Sequence, residues 1–174
     1  MTIPKAQTLR IEEITNGFPA EALNRARELL LEYGQFVVSH PQANQFCYGS
    51  LEKEAAALPE GYHAQGGGCL WAMLDDEPVG FVAWRRAPGE LGEHSWEMKR
   101  LWVRTEGRGA GVGRALTQAV ADRAVAAGRR ALYLDTIPGA MDTAHRLYLT
   151  MGFVSCEPYG DNPVEMVTCL VKYL

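Results

Sequence analysis

The residue types best suited to chemistry lie in one glycine- and arginine-rich stretch that follows the apolar run Leu101-Trp102-Val103. It reads Arg108, Gly109, Ala110, Gly111, Val112, Gly113 and Arg114. The first N–H groups of a helix have no internal partner, and the helix dipole adds positive charge there. Glycine lets an anion approach the backbone closely, and arginine adds a planar fork of donors. This stretch therefore predicts a phosphate site at the start of a helix.

Two common phosphate-binding motifs do not fit this stretch. A dinucleotide fingerprint needs glycines at i, i+2 and i+5. It fails in both registers, because Val112 and Arg114 occupy the third position. A P-loop ends in Gly-Lys followed by Ser or Thr, a tripeptide that is not found here. From the loop alone, an alternative without a binding function stays open, namely a glycine-rich connection with two solvated arginines.

Hydrophobic periodicity and turn residues place this loop between a strand and a long helix. Strands are expected near Thr8–Ile14, Cys69–Leu74, Val79–Arg86, Trp96–Val103, Ala131–Asp135, Phe153–Glu157 and Pro163–Tyr173. Helices are expected near Pro19–Val37, Gln45–Leu58, Gly111–Ala127 and Met141–Met151. The order βααβββαβαββ mixes crossover units, which favour parallel pairing, with a hairpin. We therefore expect an α/β fold with a central mixed sheet and helices on both faces, in a single domain over residues 1–174.

Composition excludes several classes of partner. The net charge of −4 and the pI near 5.6 argue against nucleic acid or an anionic membrane surface as the main partner. No apolar stretch approaches the roughly 20 residues that cross a bilayer, and the first ten residues lack a secretory core, so a cytoplasmic location is expected. The four cysteines form no CxxC pair and have no histidine at zinc-ligand spacing. We expect buried, reduced thiols and no metal.

Two motifs, in the right order, resemble the GNAT superfamily of GCN5-related N-acetyltransferases. Arg108-x-x-Gly111-x-Gly113 has the superfamily's Arg/Gln-x-x-Gly-x-Gly/Ala form and follows a strand of the expected type. The segment Ala144–Phe153 resembles the superfamily's A-x-x-L-Y-x-x-x-G-F helix end, and one helix and one strand fit between the two motifs. The resemblance covers about residues 69–153. It implies an acyl-CoA N-acyltransferase fold and acetyl-CoA as the cosubstrate.

The resemblance also implies how acetyl-CoA would be bound. The backbone of Leu101, Trp102 and Val103 would pair with the pantetheine arm like an added strand. The backbone N–H groups from Arg108 to Arg114 would hold the pyrophosphate. Many members carry an asparagine that contacts the arm where this chain has Met141. That contact is lost or replaced here.

Two catalytic residues are implied by the same resemblance. Tyr148 aligns with the tyrosine that often protonates the departing CoA thiolate. Glu97 aligns with a strand glutamate that often acts as general base, directly or through water. Each residue also has a purely structural interpretation. Tyr148 fits an aromatic side chain of the core, and Glu97 fits a solvated carboxylate on an edge strand.

The function that these residues predict is direct acetyl transfer from acetyl-CoA to a primary amine. The acceptor, a small amine or a peptide, is not identified by the sequence. A CoA-binding domain without catalysis, acting as a sensor or a structural partner, is the alternative from another class. A longer acyl-CoA or an oxygen acceptor is a third reading. Dimers are common among members of the superfamily, so a homodimer is a further expectation.

Overall fold

The computed structural model describes residues 7–43, 45, 48–160, 162, 164 and 166–174. Seven strands form within these ranges: β1 Leu9–Glu13, β2 Gly68–Leu74, β3 Glu77–Arg86, β4 Ser95–Val103, β5 Ala131–Thr136, β6 Val154–Ser155 and β7 Thr168–Tyr173. Five α-helices accompany them: α1 Ala20–Val38, α2 Tyr48–Ala56, α3 Glu60–His63, α4 Val112–Ala126 and α5 Asp142–Thr150. Short 3-10 turns cover Pro41–Ala43, Gly89–Glu93 and Thr105–Gly107.

The strands form one mixed sheet in the order β1-β2-β3-β4-β5-β7-β6. Neighbouring strands are antiparallel except for β4 and β5, which run parallel. A parallel pair needs a crossover connection, and α4 supplies it between these two strands. The predicted α/β fold with a mixed sheet is therefore confirmed.

Apolar side chains pack against both faces of the sheet, so the predicted position of the helices is also confirmed. One cluster, which includes Leu116 and Leu134, joins α4 and α5 to one face. The other cluster, which includes Leu30 and Phe81, joins α1, α2 and α3 to the opposite face. Successive side chains of a strand point to opposite faces, so each central strand contributes to both clusters.

Several predicted boundaries differ from the structure, and two of them have a clear cause. Pro59 is expected from the sequence to end the second helix, but it also precedes an additional helix, α3. Proline is tolerated there because the N–H group that it lacks would have no partner at the start of a helix. Gly111 has a φ of +77°, which does not continue a helix, so α4 begins one residue later than predicted. Strand β7 begins at Thr168 rather than at Pro163, a residue outside the described ranges.

The cysteines fit the expected reduced thiols where the structure describes them. Cys69 and Cys169 are buried and free, and Cys156 is free and half-buried, while Cys47 lies outside the described residues. Over the described part of the chain, no group of three or more His, Cys, Asp or Glu could hold a metal ion. No helix in those ranges is long and apolar enough to cross a membrane.

A β-bulge interrupts β4 in its middle. Ala83 of β3 lies opposite Lys99 and Phe81 lies opposite Trp102, so the single residue between them on β3 faces two residues on β4. One of the two, Arg100, has a φ of +61°. This left-handed conformation costs a residue with a Cβ about 1–2 kcal/mol. The bulge turns the Arg100 side chain to the face covered by α1, α2 and α3.

An ion pair on that face holds the bulge. The Nε and Nη2 atoms of Arg100 each donate a hydrogen bond of 3.1 Å to the carboxylate of Glu54 in α2. The Arg100 guanidinium also lies 5.7 Å from the ring centroid of Tyr33 in α1. The Tyr62 hydroxyl of α3 donates to the same carboxylate. We call these four residues the Arg100 clamp, which connects three helices to the bulge and offsets its backbone strain.

Removal of the Glu54 carboxylate should destabilise the fold strongly, because Arg100, a mostly buried charge, would lose both of its hydrogen bonds to that carboxylate. Its side chain is 17% exposed and that of Glu54 is 25% exposed. We expect Glu54→Ala to lower the free energy of unfolding by about 2–3 kcal/mol, less than for a fully buried pair. Urea unfolding gives this value.

The matched control is Glu77→Ala, which removes an exposed partner of Arg25. Its loss should stay below about 1 kcal/mol. Equal losses in the two variants would contradict the role assigned to the clamp.

Candidate active site

The site begins where β4 and β5 separate. Their register runs only from Ser95 opposite Ala131 to Glu97 opposite Tyr133, although β4 continues to Val103. Beyond Glu97 the two strands diverge and a cavity of about 640 Å³ opens between them. The second half of β4, the loop before α4, the end of β5, α1 and α5 form its walls. Pairing of an extended ligand with the free edge of β4 is therefore geometrically available.

Nine of the ten predicted cofactor-binding residues line this cavity. They are Leu101, Trp102, Val103, Arg108, Gly109, Gly111, Val112, Gly113 and Arg114. The tenth, Ala110, is exposed and is not part of the cavity wall. Met141, which replaces the superfamily's usual asparagine, also lines the cavity and presents an apolar side chain there.

The start of α4 has the features of an anion site. Gly111 precedes the helix with a φ of +77°, and the first hydrogen bond onto it runs from the Ala115 N–H to the Gly111 carbonyl, at 2.9 Å. The N–H groups of Val112, Gly113 and Arg114 therefore have no acceptor inside the helix. A Cβ built on Gly111 would meet nothing within 4 Å, so the space beside this backbone is open.

Both arginines of the loop are exposed and have internal partners. The Arg108 Nε donates to the Val103 carbonyl at 3.2 Å, and its guanidinium lies 5.7 Å from the ring centroid of Trp102. The Arg114 Nη2 donates to the Thr150 hydroxyl at the end of α5, at 2.7 Å. A built Cβ on Gly113 would lie 3.2 Å from Leu147, so α4 and α5 approach closely here.

Tyr148 lies in the cavity wall on α5. Its side chain is buried, and it packs against Phe153 with 5.5 Å between ring centroids. Burial raises the pKa of the Tyr148 hydroxyl, and the nearby Tyr33 and Asp135 raise it further. The hydroxyl therefore keeps its proton at neutral pH and can act as a hydrogen-bond donor.

Glu97 has a different environment from the one predicted. It is buried and is not among the residues that line the cavity. Its Oε2 accepts a hydrogen bond from Arg85 at 2.8 Å, and its Oε1 accepts from Lys99 at 3.2 Å and from Tyr159 at 3.3 Å. Burial raises the pKa of Glu97, but the charges and hydrogen bonds of Lys99 and Arg85 outweigh it, so the net pKa is lowered. The carboxylate is therefore ionised and accepts three hydrogen bonds.

Several cavity residues were not predicted from the sequence. Tyr33, Phe36 and His40 come from α1 and the turn after it, and Asp135 comes from the end of β5. Tyr33 and Phe36 are three positions apart, which places them on one face of α1. That face was indistinguishable from a core face in the sequence, and Asp135 followed an apolar strand without any motif.

Family comparison agrees with this geometry. Residues 24–153 match the model described as the acetyltransferase (GNAT) family. The chain belongs to this family. The GNAT-like fold and the resemblance noted from the two motifs are thereby confirmed.

Sequence relatives are similar over part of their length. An N-acetyltransferase of Schizosaccharomyces pombe is 39% identical over 71 residues, which are 41% of this chain and 43% of that protein. Human N-acetylaspartate synthetase is 34% identical over 105 residues, which are 60% of this chain and 33% of that protein. The matched regions thus span less than half of the relatives' length.

Solved structures share the fold across nearly the whole chain. A GNAT acetyltransferase from Staphylococcus aureus has a TM-score of 0.72 at 16% identity, covering 95% of this chain and 99% of that one. A ribosomal-protein-alanine N-acetyltransferase from Brucella melitensis has a TM-score of 0.70 at 22% identity, with the same coverage. At these identities the likeness supports the fold alone.

The loop before α4 can be tested as the phosphate site with Gly111→Asp. A carboxylate there would repel a pyrophosphate, and we expect acetyl-CoA affinity, measured by calorimetry, to fall at least about tenfold. Gly128→Asp is the matched control, because Gly128 also has a positive φ of +68° and open space, but follows the other end of α4. Equal affinity in the two variants would rule out this assignment.

Proposed function

We propose that this protein transfers an acetyl group from acetyl-CoA to a primary amine. The observation that carries the proposal is the cavity between β4 and β5, which joins an anion site at the start of α4 to the buried hydroxyl of Tyr148. One ligand that has both a pyrophosphate and a thioester would use both ends. Membership of the GNAT family supports the same activity.

The residues of the cavity fit acetyl-CoA in both shape and charge. The unpaired N–H groups at Val112, Gly113 and Arg114 suit the pyrophosphate, and Arg108 adds charge. The free edge of β4 beyond Glu97 suits the amide groups of the pantetheine arm. When bound, acetyl-CoA supplies an activated thioester carbonyl.

The chemistry required of the chain is modest. The amine nitrogen must lose a proton before its lone pair attacks the thioester carbon. A C–N bond then forms, the C–S bond breaks, and the thiolate takes up a proton. Tyr148 is proposed to donate its hydrogen bond, and then the proton, to that sulfur. Holding both reactants in one cavity contributes much of the rate enhancement.

Glu97 is proposed to accept the amine's proton through water rather than by direct contact. Its position outside the cavity wall and its three hydrogen-bond donors support the indirect route. Its lowered pKa keeps it ionised, which a base requires, but it also weakens the driving force for taking a proton. The same donors hold the carboxylate in a fixed position beside the point where β4 and β5 separate.

The remaining expectations of the sequence stay predictions. They are a single domain over residues 1–174, a cytoplasmic location, a possible homodimer, no metal, and a role that involves neither nucleic acid nor a membrane. N-acetylaspartate synthetase, by its name, acts on aspartate, which suggests a free amino acid as one acceptor to test. A CoA-binding domain without catalysis is the competing function.

Cosubstrate binding is tested by thermal unfolding with acetyl-CoA, CoA, NADH or ATP, each at about 1 mM. A ligand at about 100 times its Kd stabilises a protein by about 2.7 kcal/mol, which raises Tm by several degrees at this size. We expect a shift with the two CoA species only. Amine-dependent release of CoA thiol then separates an enzyme from a binding domain. A shift of equal size with NADH or ATP would contradict the proposal.

Tyr148→Phe should slow turnover without weakening acetyl-CoA binding, because the ring is kept and only the hydroxyl is lost. Loss of a general acid lowers kcat by about a hundredfold or more. The control is Tyr173→Phe, which removes a hydroxyl from a side chain that is 72% exposed. Steady-state kinetics with the best amine gives both constants. Full activity in Tyr148→Phe would exclude the acid role.

A further inference from the structure

The polar groups near the separation of β4 and β5 lie mainly on one face of the sheet. Glu97, Lys99 and Arg100 of β4 point to the side of α1, α2 and α3, because Glu97 pairs with Arg85 and Arg100 reaches Glu54. Helix α4, which follows the glycine-rich loop, packs on the opposite face. An acceptor that meets the thioester in the gap would therefore come from the α1 side, where Tyr33, Phe36 and His40 complete the wall.

The positive charges on this face are already compensated. The Lys99 ammonium lies 3.2 Å from Glu97, and the Arg100 guanidinium forms the two-bond pair with Glu54. Both side chains line the cavity, but the carboxylates that neutralise them do not. A carboxylate on the acceptor would compete with these internal partners.

Asp135 is the only carboxylate that lines the cavity among the residues described. It is half-buried at the end of β5, just past the last register pair with β4. The Asn162 side-chain amide donates to its Oδ2 at 2.7 Å and holds the carboxylate in place. Tyr33, Tyr148 and Tyr159 lie close enough for the Asp135 charge to act on their hydroxyls. The negative charge of Asp135 is thus central to the cavity.

We infer that Asp135 binds the ammonium group of the acceptor, and that the acceptor is a cationic amine without a carboxylate beside the amino group. The inference rests on the proposed acetyl transfer and specifies its substrate class. An ammonium gains a charge-assisted hydrogen bond to Asp135 and leaves the two internal ion pairs intact. Amines, amino-acid amides and peptide N-termini meet this description. A free α-amino acid does not, because its carboxylate would face the charge of Asp135.

The test compares matched acceptors that differ in one charge. Amine-dependent CoA release is measured with alanine, leucine, lysine and aspartate, each as the free acid and as the α-amide, for the wild type and for Asp135→Asn. The two members of a pair differ in amine basicity, but this difference cancels when the amide-to-acid ratio of kcat/KM is compared between the two proteins. Thermal unfolding with acetyl-CoA verifies that each variant is folded and binds the cosubstrate.

We expect the wild type to prefer the amides. Asp135→Asn should raise the KM for the preferred amide at least about tenfold, as expected for loss of one charge-assisted hydrogen bond, and leave the KM for acetyl-CoA nearly unchanged. The amide-to-acid ratio should also fall, because the acids no longer meet a negative charge. Asp135→Glu keeps the charge and should retain part of the affinity.

Two comparison variants separate binding from the other roles of this region. Asn162→Ala leaves the charge of Asp135 in place and should raise the acceptor KM less than Asp135→Asn does. Glu97→Gln should lower kcat instead, because Glu97 is proposed to accept a proton and not to hold the substrate.

The outcomes distinguish this inference from the proposed function. An unchanged acceptor KM in Asp135→Asn, or a wild-type preference for the free acids, would overturn the inference and leave acetyl transfer standing. The absence of amine-dependent CoA release with every acceptor would contradict the proposed function itself.

Discussion

The separation of β4 from β5 is the constraint on which the site depends. Only three residue pairs join these strands, and everything the cavity offers lies beyond the third. The bulge at Arg100 occurs on the same strand, just past the last pair. A bulge increases the local twist of a strand and bends it, which accounts for the departure of β4 from its neighbour. The Arg100 clamp fixes that bend by connecting it to three helices. The same contacts therefore stabilise the α1 side of the sheet and determine the shape of the gap.

The two predicted catalytic residues are held by opposite physical means. Tyr148 is surrounded by apolar groups, so its proton is retained because burial disfavours the phenolate. Glu97 is equally buried, yet it stays ionised because Arg85 and Lys99 compensate its charge. A donor that keeps its proton lines the cavity, and a carboxylate that keeps its charge lies at the last residue pair before β4 and β5 separate. This division of roles arises from the partners of each residue and not from the residue types.

The sequence predicted the parts of the site that depend on local rules. A positive φ before a helix favours glycine, so Gly111 and the proposed phosphate loop were recognisable, and the strand and the helix around them were predicted to within one residue at the loop. The Arg100 clamp was not predictable, because its other members lie far from Arg100 in the sequence and a positive φ at arginine has no sequence signature. The ion pair of Glu97 with Arg85 depended on the β3–β4 register, which alternating patterns do not specify across a bulge. Asp135 followed an apolar strand and had no motif.

The bond between Arg114 and Thr150 means that the proposed phosphate site already has an internal competitor for one of its arginines. The Arg114 guanidinium already donates a hydrogen bond to the Thr150 hydroxyl and has to exchange this partner for an incoming anion. The affinity for the anion therefore reflects only the difference between the two interactions. A solitary inorganic ion gains little from such an exchange, whereas a long ligand that also lies along β4 recovers the loss elsewhere. The Thr150 hydroxyl belongs to α5, the helix that carries Tyr148, so this one bond connects the proposed phosphate end of the cavity with the helix of the proposed acid.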